Sequence, residues 1–472
     1  MTSAVDDAGV DRVTAPAPQG RGRIRALTIG AVALISLTAF EALAVATVMP
    51  QVAADLNGLG GYALAFGAPL ATSVVGMALA GAWADGVGAR RPLGVGVLLF
   101  AVGLLLAGFA PQMAVFVLGR GVQGLGAGME TVALYALVGT VVPEPQRPRI
   151  FVWFSAAWVL PAMVGPAISA LLLHVLGWRS VFLLIPALAL PAGLVMWPVV
   201  RTVGRDSAPS TAAGAREVRR RLVLAAAAGS GAAVLQAAGA RPESGWRAAA
   251  AAALVVVLCC GRRLLPEGLF RLRRGVPAVV ALRGLIGAAF VGADTYLPLL
   301  LVREHGWDPG AAGLVLTLGA LTWSGGSWIQ GRYPRPEIRY VLCRIGTSML
   351  AAAVVIVLLT ALPGAPGWTA VIGWAVAGTG MGLAYSSTSL LALHLSPPER
   401  HGEASSALTT SEALTSSAAL ALAGAVFAAL LPAHLAAGAG HTPFVAALAV
   451  PVLAAALAVV AAWRAAPRAR QR

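Results

Sequence analysis

The sequence contains no lysine, and all 34 of its basic residues are arginine. The missing lysine excludes a P-loop nucleotide site, because that motif needs a lysine to reach the phosphates. Only three cysteines occur, Cys259, Cys260 and Cys343, and their spacing fits neither a disulfide framework nor a metal site. Since no zinc motif or Ser/His/Asp arrangement is visible either, we expect no enzyme activity, no cofactor and no bound metal.

Charged residues are also scarce, at 11% of the 472 residues, whereas 58% are apolar and the mean hydropathy is +0.81. Soluble domains have about 45–50% apolar and about 25% charged residues. Most of this chain is therefore expected to lie in the lipid bilayer. The net charge of +15 does not indicate a nucleic-acid partner, because the arginines lie in short loops between apolar runs.

The chain contains many apolar runs. A run needs roughly 20 residues to cross a bilayer, and these runs approach that length. We count fourteen, in groups of six, two and six: 26–50, 62–84, 92–110, 113–142, 150–174, 178–200, 222–239, 246–261, 276–302, 309–330, 339–362, 368–394, 404–432 and 441–463. The pattern predicts an all-α polytopic membrane protein. Its predicted parts are a tail (1–25), a six-helix half (26–200), a linker (201–221), two extra helices with a basic loop (222–275), a second six-helix half (276–463) and a tail (464–472).

The arginines predict the orientation of these spans. If the amino terminus is cytoplasmic, 28 arginines face the cytoplasm, four face outward and two, Arg120 and Arg283, lie within spans. Cytoplasmic loops of membrane proteins carry such an excess of basic residues. We therefore predict a multi-pass protein of the cytoplasmic membrane with both termini in the cytoplasm.

Four carboxylates lie inside the apolar runs: Glu41, Glu130, Asp294 and Glu412. A charged side chain at the centre of a membrane helix costs about 2.5–3.5 kcal/mol on insertion scales. Such residues favour a function that handles protons or cations within the membrane. For Glu41 and Asp294 the alternative is an interhelical clamp, and for Glu412 it is a side chain that reaches the membrane surface.

The fourth span has a polar face. Arg120, Gln123 and Glu130 fall within about 80° of one another on a helical wheel. A buried arginine needs a partner, so this face is expected to meet a cavity or another helix. Glu130 is either a substrate contact or the structural partner of Arg120.

Three further segments carry recognisable motifs. The loop after the second span reads GAWADGVGARR over residues 81–91, the fifth span contains Gly165-Pro166, and the first span has Glu41 nine residues before Pro50. Together with Arg120 and Gln123, these segments resemble motifs of the major facilitator superfamily, in its fourteen-helix drug–proton antiporter branch. The loop departs from the superfamily pattern at Gly86 and Ala89, where basic residues are usual.

This resemblance implies two six-helix halves plus two inserted helices, with the first and fourth helix of each half lining a cavity. It implies a role for Arg120 in proton coupling, and we hypothesise that Glu41 and Asp294 share the proton-coupling and substrate-binding roles. The expected substrate cavity contains Glu41, Gln123, Glu130, Asp294, Ser386 and Ser387. Trp158 and Trp323 lie deeper in their apolar runs than the other tryptophans, which are expected at the membrane interface, and are candidates to stack on a substrate. The implied conformational motifs contain Gly81, Asp85, Gly88, Arg90, Gly165 and Pro166. Arg283 lies eleven residues before Asp294 on the same helical face, and each is expected to reach a different helix.

We therefore expect proton-coupled efflux of hydrophobic or cationic small molecules by alternating access. The expected partners are a small-molecule substrate, protons and the lipid bilayer, and the protein is expected to be a monomer. Alternatives are an exporter of a lipid or an endogenous metabolite, an uptake permease, and a receptor or scaffold that does not transport. A scaffold has little reason to keep carboxylates in its spans, which favours transport.

Overall fold

The structure is a computed structural model that describes residues 21–143, 146–201, 212–239, 244–333, 335–397, 400–431 and 440–466. The predicted tails therefore lie largely outside the described residues, as does the first part of the predicted linker, whereas its last part, 212–221, forms the start of a helix. Within these ranges the chain forms fourteen α-helices and no β-strand, which confirms the predicted fold class. The helices are α1 Arg21–Asp55, α2 Tyr62–Val87, α3 Arg90–Gly108, α4 Met113–Val141, α5 Arg147–Leu176, α6 Arg179–Val200, α7 Ala212–Gly239, α8 Ser244–Leu264, α9 Val276–His305, α10 Pro309–Gly331, α11 Pro336–Thr360, α12 Thr369–His394, α13 His401–Leu430 and α14 His441–Ala465.

Ten of the described helices are long and apolar enough to cross a membrane: α1 to α6, α9, α11, α13 and α14. The apolar part of α7 is shorter, at Leu222–Ala238. In α10 and α12, glycine, serine, threonine and tryptophan replace aliphatic residues. These two helices still belong to the bundle, because α10 and α12 pack closely on each other and α12 also packs on α11.

The two six-helix halves repeat one packing pattern. In the first half α1 packs on α5 and α6, α2 packs on α4, and α3 packs on α4 and α6. In the second half α9 packs on α13 and α14, α10 packs on α12, and α11 packs on α12 and α14. Such a repeat is the usual architecture of alternating-access transporters. A short sequence echo, Gly-x-Trp at 81–83 and at 326–328, falls on the equivalent helices α2 and α10.

The two extra helices lie along a seam between the halves. Helix α7 packs on α2 of the first half and on α13 of the second half, and α8 packs on α7. The buried Gln236 of α7 donates a hydrogen bond to the Ser417 carbonyl of α13 at 2.7 Å. The same amide lies against Gly67 of α2, where a Cβ atom would overlap it. One side chain of the inserted pair therefore contacts both halves.

The apolar core joins the halves mainly at one end. We call the end where α1 begins and α14 ends the terminal end, and the opposite end the far end. Far-end residues of the first half, including Met49, Phe116 and Phe182, share one core with Leu300 and Phe427 of the second half. At the terminal end the first half has a separate core that contains no described residue of the second half. The described halves are therefore closed against each other at the far end.

Glycines set the distance between α3 and α4. A Cβ atom on Gly126 of α4 would lie 2.6 Å from the Gly96 carbonyl oxygen and 2.8 Å from the Phe100 Cα of α3. Small residues let membrane helices approach this closely, which gains van der Waals contact. Gly139, on the same helix, has open space around it.

We predict that Gly126→Ala lowers the stability of the protein in detergent by about 1–3 kcal/mol, because the added methyl group overpacks the α3–α4 contact. The measurement is thermal unfolding followed by size-exclusion chromatography. Gly139→Ala is the matched control and should not lower the midpoint. Equal midpoints for the two variants would contradict the role given to Gly126.

Candidate functional site

A buried polar network connects α1 and α4 in the first half. Arg120 of α4 forms an ion pair through Nη1 with Oε1 of Glu41 on α1. Gln123, one turn further along α4, donates from Nε2 to Glu41 Oε2 at 2.8 Å and accepts from Arg120 Nη1 through Oε1 at 2.7 Å. All three residues are at most 4% exposed. The carboxylate is therefore held on both oxygens, by a guanidinium and by an amide.

Arg120 is also fixed from a third helix. Its Nε donates to the Ala65 carbonyl of α2 at 3.2 Å. The glycines of α4 bring α2 close enough for this contact, since a Cβ atom on Gly124 would lie 2.6 Å from the Thr72 hydroxyl. Thr72 in turn donates to the Gly121 carbonyl at 2.8 Å. Arg120 thus stays anchored by groups other than the carboxylate.

Glu130 lies apart from this network. Its Oε2 is buried and has no described hydrogen-bond partner, and Thr38 of α1 is its polar neighbour. Of the two alternatives for Glu130, the structural partnership with Arg120 is not seen, because Arg120 pairs with Glu41 instead. An unpaired carboxylate in a membrane protein interior is costly and calls for a proton or a ligand.

Asp294 of α9 has a different environment. It is half-buried and forms no hydrogen bond or ion pair with a described residue. Tyr62 of α2 lies near it, and the Tyr62 and Tyr296 hydroxyls are both buried without a described partner. The two tyrosine rings are 6.1 Å apart, and Phe66 and Phe427 extend this aromatic group at 5.4 Å and 5.1 Å. A half-buried acid thus lies beside fully buried aromatic rings at the contact between the two halves, a combination of charge and ring faces that attracts cations.

The second half contains its own ion pair. Arg283 of α9 donates from Nε to Glu412 Oε2 of α13 at 2.8 Å, and the Tyr385 hydroxyl of α12 donates to the same oxygen at 3.1 Å. Arg283 Nη1 also donates to the Tyr385 carbonyl, Thr388 and Ser389 at 3.0–3.2 Å. Glu412 therefore pairs within the bundle rather than reaching the membrane surface, and Arg283 and Asp294 do have different neighbours.

The other predicted cavity residues are dispersed. Trp158 is 47% exposed, whereas Trp323 is half-buried between Phe290 and Tyr385, with ring centres 5.1 Å and 5.3 Å away. Ser386 is half-buried. The buried Ser387 hydroxyl donates to the Leu383 carbonyl of its own helix at 2.7 Å, so it is already satisfied.

The predicted conformational motifs lie at a helix end and in α5. Gly88 ends α2 with a φ of +82°, a left-handed conformation that favours glycine. Arg90 begins α3 and lies 5.0 Å from the Trp197 ring, while Gly81 has open space around it. The Asp85 side chain lies outside the described residues. The buried pair Gly165-Pro166 of α5 packs near α1, where a Cβ on Gly165 would be 3.6 Å from Phe40.

Sequence reasoning missed the tyrosine pair and the anchor at Ala65. Tyr62 opens α2 and Tyr296 follows Asp294 by two residues, and neither belongs to a motif. The available signal was that tyrosine is uncommon in this chain, with six residues in 472. The Ala65 contact uses a backbone carbonyl, which no residue pattern reveals.

Comparisons with known proteins agree with the fold. The model of the Major Facilitator Superfamily matches residues 29–420. Among curated relatives, the multidrug transporter protein MdtP of Bacillus subtilis is 29% identical over 178 residues, which cover 38% of this chain and 32% of MdtP. The multidrug resistance protein Stp of Mycobacterium tuberculosis is 40% identical over 101 residues, covering 21% and 19% of the two chains. The matched segments thus span about a third or less of these two relatives.

Solved structures match over a longer range. A POT family transporter in complex with 5-aminolevulinic acid superposes with a TM-score of 0.62 at 14% identity, covering 95% of this chain and 96% of that one. A POT family transporter with a thioalcohol-conjugated peptide gives a TM-score of 0.63 at 16% identity, covering 94% and 95%. At these identities the likeness establishes the fold alone.

We predict that Arg120→Gln destabilises the protein by about 3–5 kcal/mol, because it leaves the Glu41 charge buried without its counter-ion. The double variant Glu41→Gln/Arg120→Gln should recover part of this loss. Unfolding in detergent, arranged as a double-mutant cycle, measures the coupling. Arg262→Gln, at an exposed position near the end of α8, is the control and should change little. Strictly additive losses at positions 41 and 120 would refute the pairing.

Proposed function

Because the chain belongs to the major facilitator superfamily of membrane transporters, we propose that it exports hydrophobic or cationic small molecules across the cytoplasmic membrane in exchange for protons. The observation that carries the proposal is the buried Glu41 carboxylate, which is held by Arg120 and Gln123 between α1 and α4. A membrane protein keeps such a charge where protons or cations must pass.

The contacts of Arg120 support a proton-dependent release of Glu41. An ion pair allows a carboxylate to remain charged in a low-dielectric interior. Protonation of Glu41 would remove its charge and weaken the pair, while Arg120 would keep Gln123 Oε1 and the Ala65 carbonyl as acceptors. The α1–α4 contact would therefore loosen without leaving the guanidinium unpartnered. Binding of one proton thus alters the packing of two helices.

Asp294 supports a separate role in substrate binding. Its carboxylate is free of described partners and lies beside the aromatic group of Tyr62, Phe66, Tyr296 and Phe427. A carboxylate attracts a cation, and aromatic faces bind both cations and apolar rings. The surrounding rings come from α2, α9 and α13, so a substrate there would contact both halves.

The unequal packing of the two ends supports alternating access. The described halves share a core at the far end, where His174 of α5 and Asp308 of α10 also approach to 3.4 Å. With the topology predicted from the arginines, the terminal end faces the cytoplasm, from which an exporter takes its substrate. Release outside would require the far-end core to separate. An inward proton contributes about 2.3 kcal/mol per 100 mV of membrane potential to this cycle.

The relatives support drugs as substrates. MdtP and Stp carry names that describe multidrug transport or resistance, and so does MdtL of Salmonella typhi, which is 28% identical over 180 residues, 36% of this chain and 45% of MdtL. An exporter of a lipid or an endogenous metabolite would carry a different cargo, and an uptake permease would transport in the opposite direction. Transport assays in vesicles distinguish both alternatives.

We predict that inside-out vesicles containing the protein take up a fluorescent cationic dye when their lumen is acidified. Glu41→Gln should reduce this uptake at least about tenfold, because the amide cannot exchange a proton. The measurement is dye accumulation driven by an imposed pH gradient.

Glu267→Gln, at an exposed carboxylate between α8 and α9, is the control and should transport like the unchanged protein. Uptake by Glu41→Gln at the unchanged rate would remove Glu41 from the coupling mechanism. A pH gradient that drives no dye or antibiotic into vesicles, across a panel of efflux substrates, would refute drug–proton antiport altogether.

We predict that Asp294→Asn weakens transport of cationic substrates more than that of neutral ones, by about tenfold in KM for a monocation, because one attractive charge is lost. Competition between a cationic dye and a neutral apolar substrate in the same vesicles measures the difference. Glu337→Gln, at an exposed carboxylate in the first turn of α11, is the control. An equal loss for cationic and neutral substrates would indicate a structural clamp instead.

A further inference from the structure

Four arginines gather where α14 ends, at the terminal end of the second half. Arg464 donates from Nη1 to the Arg271 carbonyl at 3.1 Å, and Arg274 donates from Nη1 to the Ala466 carbonyl at 3.3 Å. The Arg344 guanidinium of α11 lies 4.3 Å from the centre of the Trp463 ring of α14. These contacts join α11, α14 and the loop before α9 into one basic cluster.

The charge of this basic cluster is not neutralised within the described chain. None of the four arginines forms an ion pair with a described carboxylate. Glu267 and Glu337 lie on the same segments, are exposed and form no ion pair there. The Arg344 Nε atom is moreover buried without a described hydrogen-bond partner. Guanidinium groups held together in this way favour an external anion.

The loop that contributes Arg271 and Arg274 has a defined backbone. A short 3₁₀ turn, Leu269–Arg271, is anchored by the buried Leu269. Positive φ angles occur at Gly268, Leu272 and Gly275, and the value of +48° at Leu272 is unusual for a residue other than glycine. The arginines are thus presented on a turn whose shape is built by tertiary contacts rather than on a freely moving tail.

An apolar strip adjoins the basic cluster. On α11 the exposed Val341 and Ile345 flank Arg344, and on α14 the exposed Leu457 and Val460 precede Trp463, which is 57% exposed. Residues three or four apart share one helix face, and α11 packs directly on α14, so the two apolar faces adjoin. A tryptophan at the boundary between apolar and basic surfaces is typical of the membrane–water interface.

We propose that this surface binds an anionic phospholipid of the cytoplasmic leaflet. The phosphate would lie among Arg271, Arg274, Arg344 and Arg464, and the acyl chains would lie along the strip on α11 and α14. Basic sites between membrane helices on the cytoplasmic side bind anionic headgroups. The apolar strip favours a lipid over a soluble phosphate, which would use the arginines alone. The inference does not depend on the proposed transport activity.

The test uses the full-length protein in detergent and native mass spectrometry, with dioleoylphosphatidylglycerol and dioleoylphosphatidylcholine as probes. We expect the phosphatidylglycerol to bind preferentially. The double variant Arg344→Gln/Arg464→Gln should bind it about tenfold more weakly. Arg262→Gln/Arg263→Gln removes the same charge from exposed positions at the end of α8 and should bind it within about twofold of the unchanged protein.

A second variant covers the case in which the double variant does not fold. Arg271→Gln keeps the backbone carbonyl that Arg464 contacts and should weaken phosphatidylglycerol binding about threefold. Equal losses in the α8 control, equal binding of the two lipids, or full retention in a monodisperse Arg271→Gln protein would overturn the proposal. Displacement of the lipid by inorganic phosphate at an equal concentration would also overturn it, in favour of a soluble anion.

Discussion

The arrangement of the first half depends on one buried ion pair, between Glu41 and Arg120. Neither charge can be placed in a low-dielectric interior alone, so α1 and α4 must lie where the two side chains meet. Gln123 donates a second hydrogen bond to Glu41, and the Ala65 carbonyl accepts one from Arg120. The glycines of α4 let α2 and α3 approach closely enough for these contacts. The polar network and the helix packing therefore determine each other.

The second half also contains an ion pair within the bundle, but there the arginine rather than the acid is on the opening helix. In the first half the acid is on the opening helix and the arginine is on the fourth, whereas in the second half Arg283 is on the opening helix and Glu412 is on α13. Tyr385 and the hydroxyls of α12 hold Arg283, as Gln123 and Ala65 hold Arg120. Each half is thus fastened by its own pair, while Asp294 stands between the halves without a described partner.

The inserted helices and the basic cluster add constraints outside this interior. Through Gln236, α7 contacts α2 and α13 together, so any movement of one half relative to the other must also change the contacts of the inserted pair. At the terminal end of the second half, α11 begins and α14 ends beside arginines with no described counter-charge. The bilayer is therefore both the solvent of the apolar faces and a source of anionic groups for the basic ends.

The sequence by itself determined the number and order of the helices, the two related halves and the residues that had to be satisfied inside the membrane. It could do so because apolar length, basic loops and buried charge are local properties of the chain. Only the tertiary structure decided the partners. From the sequence, Arg120 could pair with Glu130 or with an acid on another helix, and the pairing with Glu41 follows from how α1 packs against α4. The same holds for Glu412. The sequence allows its side chain to reach the membrane surface, and only the packing of α9 against α13 pairs it with Arg283.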